Sequence, residues 1–270
     1  MRCPRKKGPE WLTSAPFAHR GLHGPDTGPE NSLAAINAAV AAGYGIECDV
    51  RLLADGEVVV FHDQTLGRMT GRPGRMADLR TADLASLRLG DTDERPPLLG
   101  EVLDCLKGRV PLYIELKTEG VPGPLERRVL ERVRSYAGAF CLASFNPRSL
   151  AFVARHDPSR VRCLIASHCC QSSGLGGLTR FFYRHLFHAA LARPHCIAYD
   201  WRGMPNWSVA FARSLGAPVL LWTVRTREDM KKALRHGDNI VFEGFLPSSP
   251  ETHGSGRACG RPRPGQPKES

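Results

Sequence analysis

The stretch Gly45-Ile46-Glu47-Cys48-Asp49-Val50, followed after a short link by Val58-Val59-Val60-Phe61-His62-Asp63, decides how the chain folds. Read as a strand, the first run sends Ile46, Cys48 and Val50 to one face and Glu47 and Asp49 to the other, because successive strand side chains alternate. Two carboxylates on one face repel unless something positive sits between them. A hard divalent cation with oxygen ligands is the simplest candidate. The link Ala54-Asp55-Gly56-Glu57 sets Asp-Gly between apolar runs, the signature of a tight hairpin. A turn centred on Asp55-Gly56 places Asp49 opposite His62, so carboxylate and imidazole meet without any long-range assumption. A slip of one residue would turn the histidine to the wrong face. Polar-out alternation is the ordinary state of a half-buried hairpin, so the pattern alone also fits carboxylates that face water.

Upstream, Pro16-Phe17-Ala18-His19-Arg20-Gly21 is a short apolar run ending on His-Arg-Gly. A turn-rich segment, 24–29, leads to Glu30-Asn31-Ser32, which opens a helix with Leu33, Ile36, Ala39 and Val40 at helical spacing and Gly43 at its end. Strand, loop and helix leading to the next strand is the unit of parallel sheets. Downstream, 65–74 reads as a polar loop with Arg68 and Arg72, 81–89 as a short helix, and a helix begins at Leu98. In the strand 110–117, Tyr113, Glu115 and Lys117 share a face. Further strands are expected at 140–145, 161–166, 196–201, 218–224 and 239–242, with helices at 124–136, from 147, at 178–191 and at 227–235. A loop is expected at 167–178. Strands joined by so short a link as the hairpin must be antiparallel, which leaves eight strands to close a barrel. The expectation is a (β/α)8 TIM barrel with an added β-hairpin at its mouth. His19, Glu47, Asp49, Glu115 and Lys117 all fall at strand C-terminal ends, which converge on the mouth where such barrels do chemistry.

A chain of 270 residues with 42% apolar composition suits one large domain of this kind. The expected division is a lead-in over 1–12, disordered or loosely docked, a barrel domain over 13–247, and a disordered tail over 248–270 rich in Pro, Gly, Ser, Arg and Lys. The nine cysteines, an odd number without a Cys-x-x-Cys pair, point to a reducing compartment and no disulfide framework. Several lie in apolar runs, where cysteine acts as a small hydrophobe, and the adjacent Cys169 and Cys170 read as a loop pair. No run is long enough to span a bilayer, and no apolar signal core follows the basic N-terminus. A soluble, cytoplasmic protein without stable membrane insertion is expected. The net charge of +10 is spread out and partly in the tails, with no helix expected to carry a basic stripe interleaved with aromatics. That argues against a nucleic-acid partner.

The ordered set His19-Arg20-Gly21, Pro29-Glu30-Asn31, Glu47-x-Asp49-Val50, Asp55-Gly56, Val60-x-His62-Asp63 and Glu115-x-Lys117 resembles the glycerophosphodiester phosphodiesterases. Weaker echoes are Leu66-x-x-x-Thr70, Pro97-Leu98-x-x-Glu101-Val102-Leu103, Ser144-Phe145-Asn146 and Trp222-Thr223-Val224, so the likeness spans 16–247. It implies a barrel enzyme that hydrolyses glycerophosphodiesters, deacylated phospholipids, to glycerol 3-phosphate and an alcohol. By the same resemblance Glu47, Asp49 and Glu115 would hold Mg2+ or Ca2+, His19 and His62 would be the acid–base pair, and Arg20 and Lys117 would contact phosphate. Glu30 and Asn31 would shape the metal and substrate end. Trp222, on a strand pointing at the same mouth, is a further substrate-binding candidate. The sequence departs from the family pattern at Glu243, where the closing strand often ends in Thr-Asp, and at Leu53, in place of threonine; neither is expected to touch the site. The link from Gly21 to Glu30 is short, and no inserted domain is expected at the mouth. Three alternatives stay open: a lysophospholipase D-like phosphodiesterase with Phe181 to Phe187 as an acyl-chain lip, a non-catalytic barrel that binds phosphorylated ligands, and a basic nucleic-acid binder. The expected partner is a small glycerophosphodiester, and a homodimer is open.

Overall fold

The computed structural model describes residues 8–168 and 176–247. The expectations for Cys3, Cys169, Cys170 and Cys259, for 1–7, for the centre of the 167–178 loop and for the tail from 248 fall outside the described residues. The strands are β1 (Phe17–Ala18), β2 (Gly45–Leu52), β3 (Val58–Val60), β4 (Leu112–Leu116), β5 (Phe140–Ser144), β6 (Arg162–Ala166), β7 (Cys196–Asp200), β8 (Val219–Val224) and β9 (Asn239–Phe242). The helices are α1 (Leu33–Ala41), α2 (Gly67–Thr70), α3 (Leu99–Leu106), α4 (Pro124–Arg132), α5 (Pro147–His156), α6 (Gly177–Arg184), α7 (Ala189–Ala192), α8 (Trp207–Ser214) and α9 (Arg227–Ala233). All strands but β3 run parallel, and β1 pairs with both β2 and β9, which closes an eight-stranded barrel.

The alternation in β2 works as its sequence requires. Ile46, Cys48 and Val50 pack outward against α1 and α3, in one apolar layer with Ile114, Leu116, Leu142 and Ile36. The inward positions of the other strands supply a second core of Phe17, Tyr113, Cys141, Ala143, Cys163, Cys196 and Ala198. The small cysteines and alanines leave room that two aromatic rings fill, Phe17 lying edge-on to Tyr113 at 6.0 Å. Gly45 is required at this place, because a Cβ there would meet the Phe17 ring at 2.7 Å. Leu12 closes the bottom of this core and is wholly buried. The lead-in expected to dock loosely is therefore tied down over its described part, with the Gly8 amide donating to the Gly216 carbonyl.

The hairpin register differs from expectation by one. Val50 pairs with Val60 and Leu52 with Val58, so Asp49 lies opposite Phe61, not His62. The cause is the turn: Leu53 still pairs with Glu57, and the loop is Ala54-Asp55-Gly56 with Gly56 at φ 82°, the three-residue hairpin that needs a left-handed glycine. The histidine nevertheless escapes the wrong face, because β3 ends at Val60 and His62 lies beyond the ladder. Residues 53–98 also form more than loops. Leu53, Val59, Phe61, Leu66, Met76, Leu84, Leu87 and Leu89 build a small core of their own over the mouth end of β2, where no insertion was expected. Two local expectations fail around β6 to β8. The aromatic 178–191 helix breaks at Leu186, which sits at φ 59°, into α6 and α7. α8, capped by Asn206, was not foreseen because Trp207, Phe211 and Leu215 point outward.

Candidate active site

Three carboxylates meet at the mouth. Asp49 and Glu115 are register partners on β2 and β4, and Glu47 lies two residues earlier on the same face. One oxygen from each lies within 4.8 Å of the others, and all three side chains are buried. Like charges directly opposite across a ladder are destabilising, so the arrangement calls for positive charge. Lys117 supplies part of it, with Nζ 2.5 Å from Glu115 and 3.0 Å from Asp49. Arg20 Nε lies 3.4 Å from Asp49, and the Arg20 amide donates to Glu47 Oε2 at 2.8 Å, from a backbone held at φ 57°. Asn31, also at positive φ, donates to Asp49 Oδ2 at 3.0 Å.

Neutralisation is uneven. Burial, with the charges of Asp49 and Glu115 added, pushes the Glu47 carboxyl well above the usual carboxylate range. Burial acts against the charge on Asp49 too, but Lys117, His62 and Arg20 together outweigh it and hold that carboxyl far down. Burial raises Glu115 further than Lys117 lowers it. Glu47 Oε1 is buried with no hydrogen-bond partner among the described residues. An orphaned carboxylate oxygen beside two more carboxylates is a donor set that fits a hard divalent cation.

The two histidines face this cluster from different elements. His19 follows β1; its Nδ1 is 2.7 Å from Glu243 Oε2 and its Nε2 is 3.9 Å from Glu47. His62 follows β3; its Nδ1 is 2.7 Å from Asp63 Oδ1, and the buried Arg51 donates to the His62 carbonyl from Nε at 2.9 Å. Arg51, not ladder pairing, thus sets His62 in place. Each Nδ1 donates its proton to a carboxylate, which leaves Nε2 of the neutral ring as the acceptor. Burial lowers the pKa of both rings; for His19 the Glu243 hydrogen bond opposes it, and for His62 the Asp49 charge does.

Eight of the ten residues singled out from sequence border one cavity of 400 Å³ or supply its carboxylate floor: His19, Arg20, Glu47, Asp49, His62, Glu115, Lys117 and Trp222. Glu30 and Asn31 stand behind it. Glu30 receives Arg20 at 2.8 Å and Arg68 at 2.7 Å, so it clamps an arginine and does not reach the cavity. On the opposite wall Trp222 meets Phe145 edge-on at 5.5 Å, with Ile165 and Val241 nearby. The sequence reading set Glu243 apart from the site. That is corrected: β9 delivers it directly onto His19. Arg202 and Arg225, also on the cavity wall, were missed. Their signal was position alone, each lying just past the C-terminal end of a barrel strand, β7 or β8.

A closed parallel barrel with a buried acidic cluster and two carboxylate-anchored histidines at its C-terminal mouth defines a barrel hydrolase. The comparisons narrow this. Residues 19–243 match the glycerophosphoryl diester phosphodiesterase family, and the chain belongs to it; the protein is a phosphoric diester hydrolase acting on glycerophosphodiesters. The chain is 36% identical over 242 residues to protein YqiK of Bacillus subtilis, covering 85% of this chain and 94% of that one. It is 29% identical over 248 residues to the glycerophosphodiester phosphodiesterase of Caldanaerobacter subterraneus, covering 87% and 94%. In fold it is similar to a phosphodiesterase of Oleispira antarctica solved with the product sn-glycerol-3-phosphate, at TM-score 0.73 and 23% identity over 86% of this chain and 93% of that one. Among the described residues, no helix is long and apolar enough to cross a membrane.

Proposed function

We propose that the protein releases glycerol 3-phosphate and an alcohol from a small glycerophosphodiester, with His19 and His62 as the acid–base pair. The observation that carries this reading is the facing of the two Nδ1-anchored imidazoles across a buried three-carboxylate cluster. Glu47, Asp49 and Glu115 are the residues that would hold Mg2+ or Ca2+. Such an ion, when bound, offers positive charge to a phosphoryl oxygen. Arg20 presents a planar fork to phosphate oxygens, and Lys117 a compact charge. Glu30 keeps Arg20 extended toward the mouth, and Asn31 keeps Asp49 turned inward.

In the reaction one neutral imidazole takes a proton at Nε2 from the attacking hydroxyl: water, which gives glycerol 3-phosphate directly, or a neighbouring glycerol hydroxyl, which gives a cyclic phosphate that water then opens to glycerol 3-phosphate in a second displacement with the roles of the two histidines exchanged. A new P–O bond forms, the P–O bond to the leaving alcohol breaks, and the second histidine, protonated, gives its proton to that oxygen. Glu243 and Asp63 stabilise each imidazolium as it forms and hold the ring in one tautomer. Trp222, Phe145, Ile165 and Val241 form an apolar wall against which the alcohol portion packs. Phe181, Phe182 and Phe187 do not line this cavity, which favours a small deacylated substrate over one needing an acyl-chain lip there. The test is release of glycerol 3-phosphate from glycerophosphocholine by the intact chain, with and without chelator, then with Mg2+ or Ca2+ restored. Activity unaffected by prolonged chelation, or full activity in both His19→Ala and His62→Ala, overturns the assignment.

A further inference from the structure

We propose that the face built from α6, the turn after it and the outer side of α8 docks onto the surface of a bilayer containing anionic lipid. Eight of the twelve large apolar side chains that stand exposed among the described residues lie between 178 and 215. α6 buries none of its own residues and turns Leu178, Phe181 and Phe182 to the outside. α8 does the same from the other side: Trp207, Phe211 and Leu215, one helical turn apart, are each about 60% exposed, while Ser208 and Val209 face inward. Helices of a protein that meets only water bury such stripes.

The exposed rings form one surface. Phe182 lies 4.9 Å from Phe187, Phe187 lies 6.5 Å from Trp207, and His185 stacks on Trp207 at 5.2 Å. The platform is held from behind by polar contacts, Asn206 Nδ2 and Tyr199 Oη both donating to the Arg184 carbonyl at 3.1 Å. A groove of 820 Å³ bordered by Phe187, Trp207, Phe211 and Leu215 continues the same surface along the barrel wall.

Charge selects the occupant. Residues 176–217 carry five arginines and one acid, the buried Asp200; Arg202 pairs with Asp200 and Arg213 with Asp238, so the charge offered on this face comes from Arg180 and Arg184 on α6 and Arg193 after α7. α6 interleaves two of these arginines with Phe181, Phe182 and Tyr183, the aromatic-basic stripe that the sequence reading had not expected on any helix. A second copy across a twofold would set arginines against arginines, whereas an anionic surface complements them. Leu178, Leu191 and Leu215, exposed on the same surface, offer neither a polar atom to a peptide nor a ring on which a base could stack. Aromatic rings flanked by arginine are the composition of a helix lying in a membrane interface. The same groove runs on to Val161, His195 and Ala217, which precede β6, β7 and β8, so the face lies along the side of the barrel and reaches toward its closed end.

The test is co-sedimentation of the full chain with vesicles of phosphatidylglycerol and phosphatidylcholine, and with phosphatidylcholine alone. The expected result is binding to the anionic vesicles, weakened by about tenfold or more in the charge-preserving Phe181→Ser/Phe182→Ser/Trp207→Ser variant. Arg180→Gln/Arg184→Gln should remove the preference for phosphatidylglycerol, and both variants should keep wild-type turnover of soluble glycerophosphocholine. No binding by the wild type, or equal binding by the aromatic variant, overturns the proposal. So does a dimer in sedimentation velocity, or affinity for a single-stranded oligonucleotide, that the same aromatic substitutions abolish.

Discussion

The barrel mouth carries two buried acidic positions of opposite character. On β7, Asp200 is saturated: Arg202 grips both its oxygens at 2.9 and 2.8 Å, and Ser167 Oγ and His168 Nδ1 each lie 3.3 Å away. Burial would raise its pKa, but the Arg202 contacts win and hold it below the ordinary value. On β2 and β4, three carboxylates share Lys117 and Arg20, one of them is pushed well up, and one of its oxygens has no partner among the described residues. Both positions are strand-end acids under the same barrel. What separates a ligand site from a structural ion pair here is the shortfall in neutralising partners, not the presence of buried acid.

The sharpest break between the two would come from the uneven charge balance itself. Asp49→Asn should abolish measurable phosphodiester hydrolysis, as should exhaustive chelation of the wild type, whereas Asp200→Asn should leave turnover per folded molecule close to normal. A strong loss in Asp200→Asn, measured by steady-state kinetics, would erase the distinction. Next in size, His62→Ala should lower kcat by on the order of 10²–10⁴-fold with an unchanged melting temperature. Glu243→Gln should lower kcat by about tenfold with little change in KM, because it loosens His19 without touching phosphate. Equal kcat in that variant would reduce Glu243 to a bystander.

Stability should move in opposite directions at the two positions. Asp200→Ala should cost about 1–3 kcal/mol in urea unfolding, the penalty for stranding its buried partners. Glu47→Gln, in chelated protein at neutral pH, should instead raise the urea midpoint while abolishing activity, because it removes a charge the fold disfavours. The pH signs follow. Glu47, raised above 4.5 in the fold, takes up a proton more readily when folded, so its contribution improves as pH falls from neutral toward 4.5. Asp200 and Glu243 are depressed, so their contributions are present above their ordinary values of 3.8 and 4.5 and vanish as pH falls further; for Glu243 the loss completes near pH 2. The smallest effect should be the loss of that acid-side dependence in Glu243→Gln, read from unfolding midpoints between pH 5 and 2.

Much of this was legible in the chain. Alternation in 45–50 named the inward carboxylates, and Glu115-x-Lys117 put a third acid and its lysine on one face, because a strand's side-chain period follows from local geometry. Asp55-Gly56 announced the hairpin. The same dipeptide misled on register, since two-residue and three-residue loops both place glycine at a left-handed position and only the ladder shows which one formed. α8 escaped notice because a stripe facing solvent carries no core signal.

The sequence by itself determined the strand-and-helix alternation, which side chains face inward, and the acidic and imidazole groups gathered at one end. Those are properties of neighbouring residues along the backbone. Tertiary structure alone decided that Glu243 meets His19 across 224 positions, that Arg51 holds His62 in place, and that, among the described residues, Asp200 is fully paired while Glu47 is not. Charge balance in a low-dielectric interior is set by what every surrounding strand delivers to one point, and no single stretch of chain contains that sum.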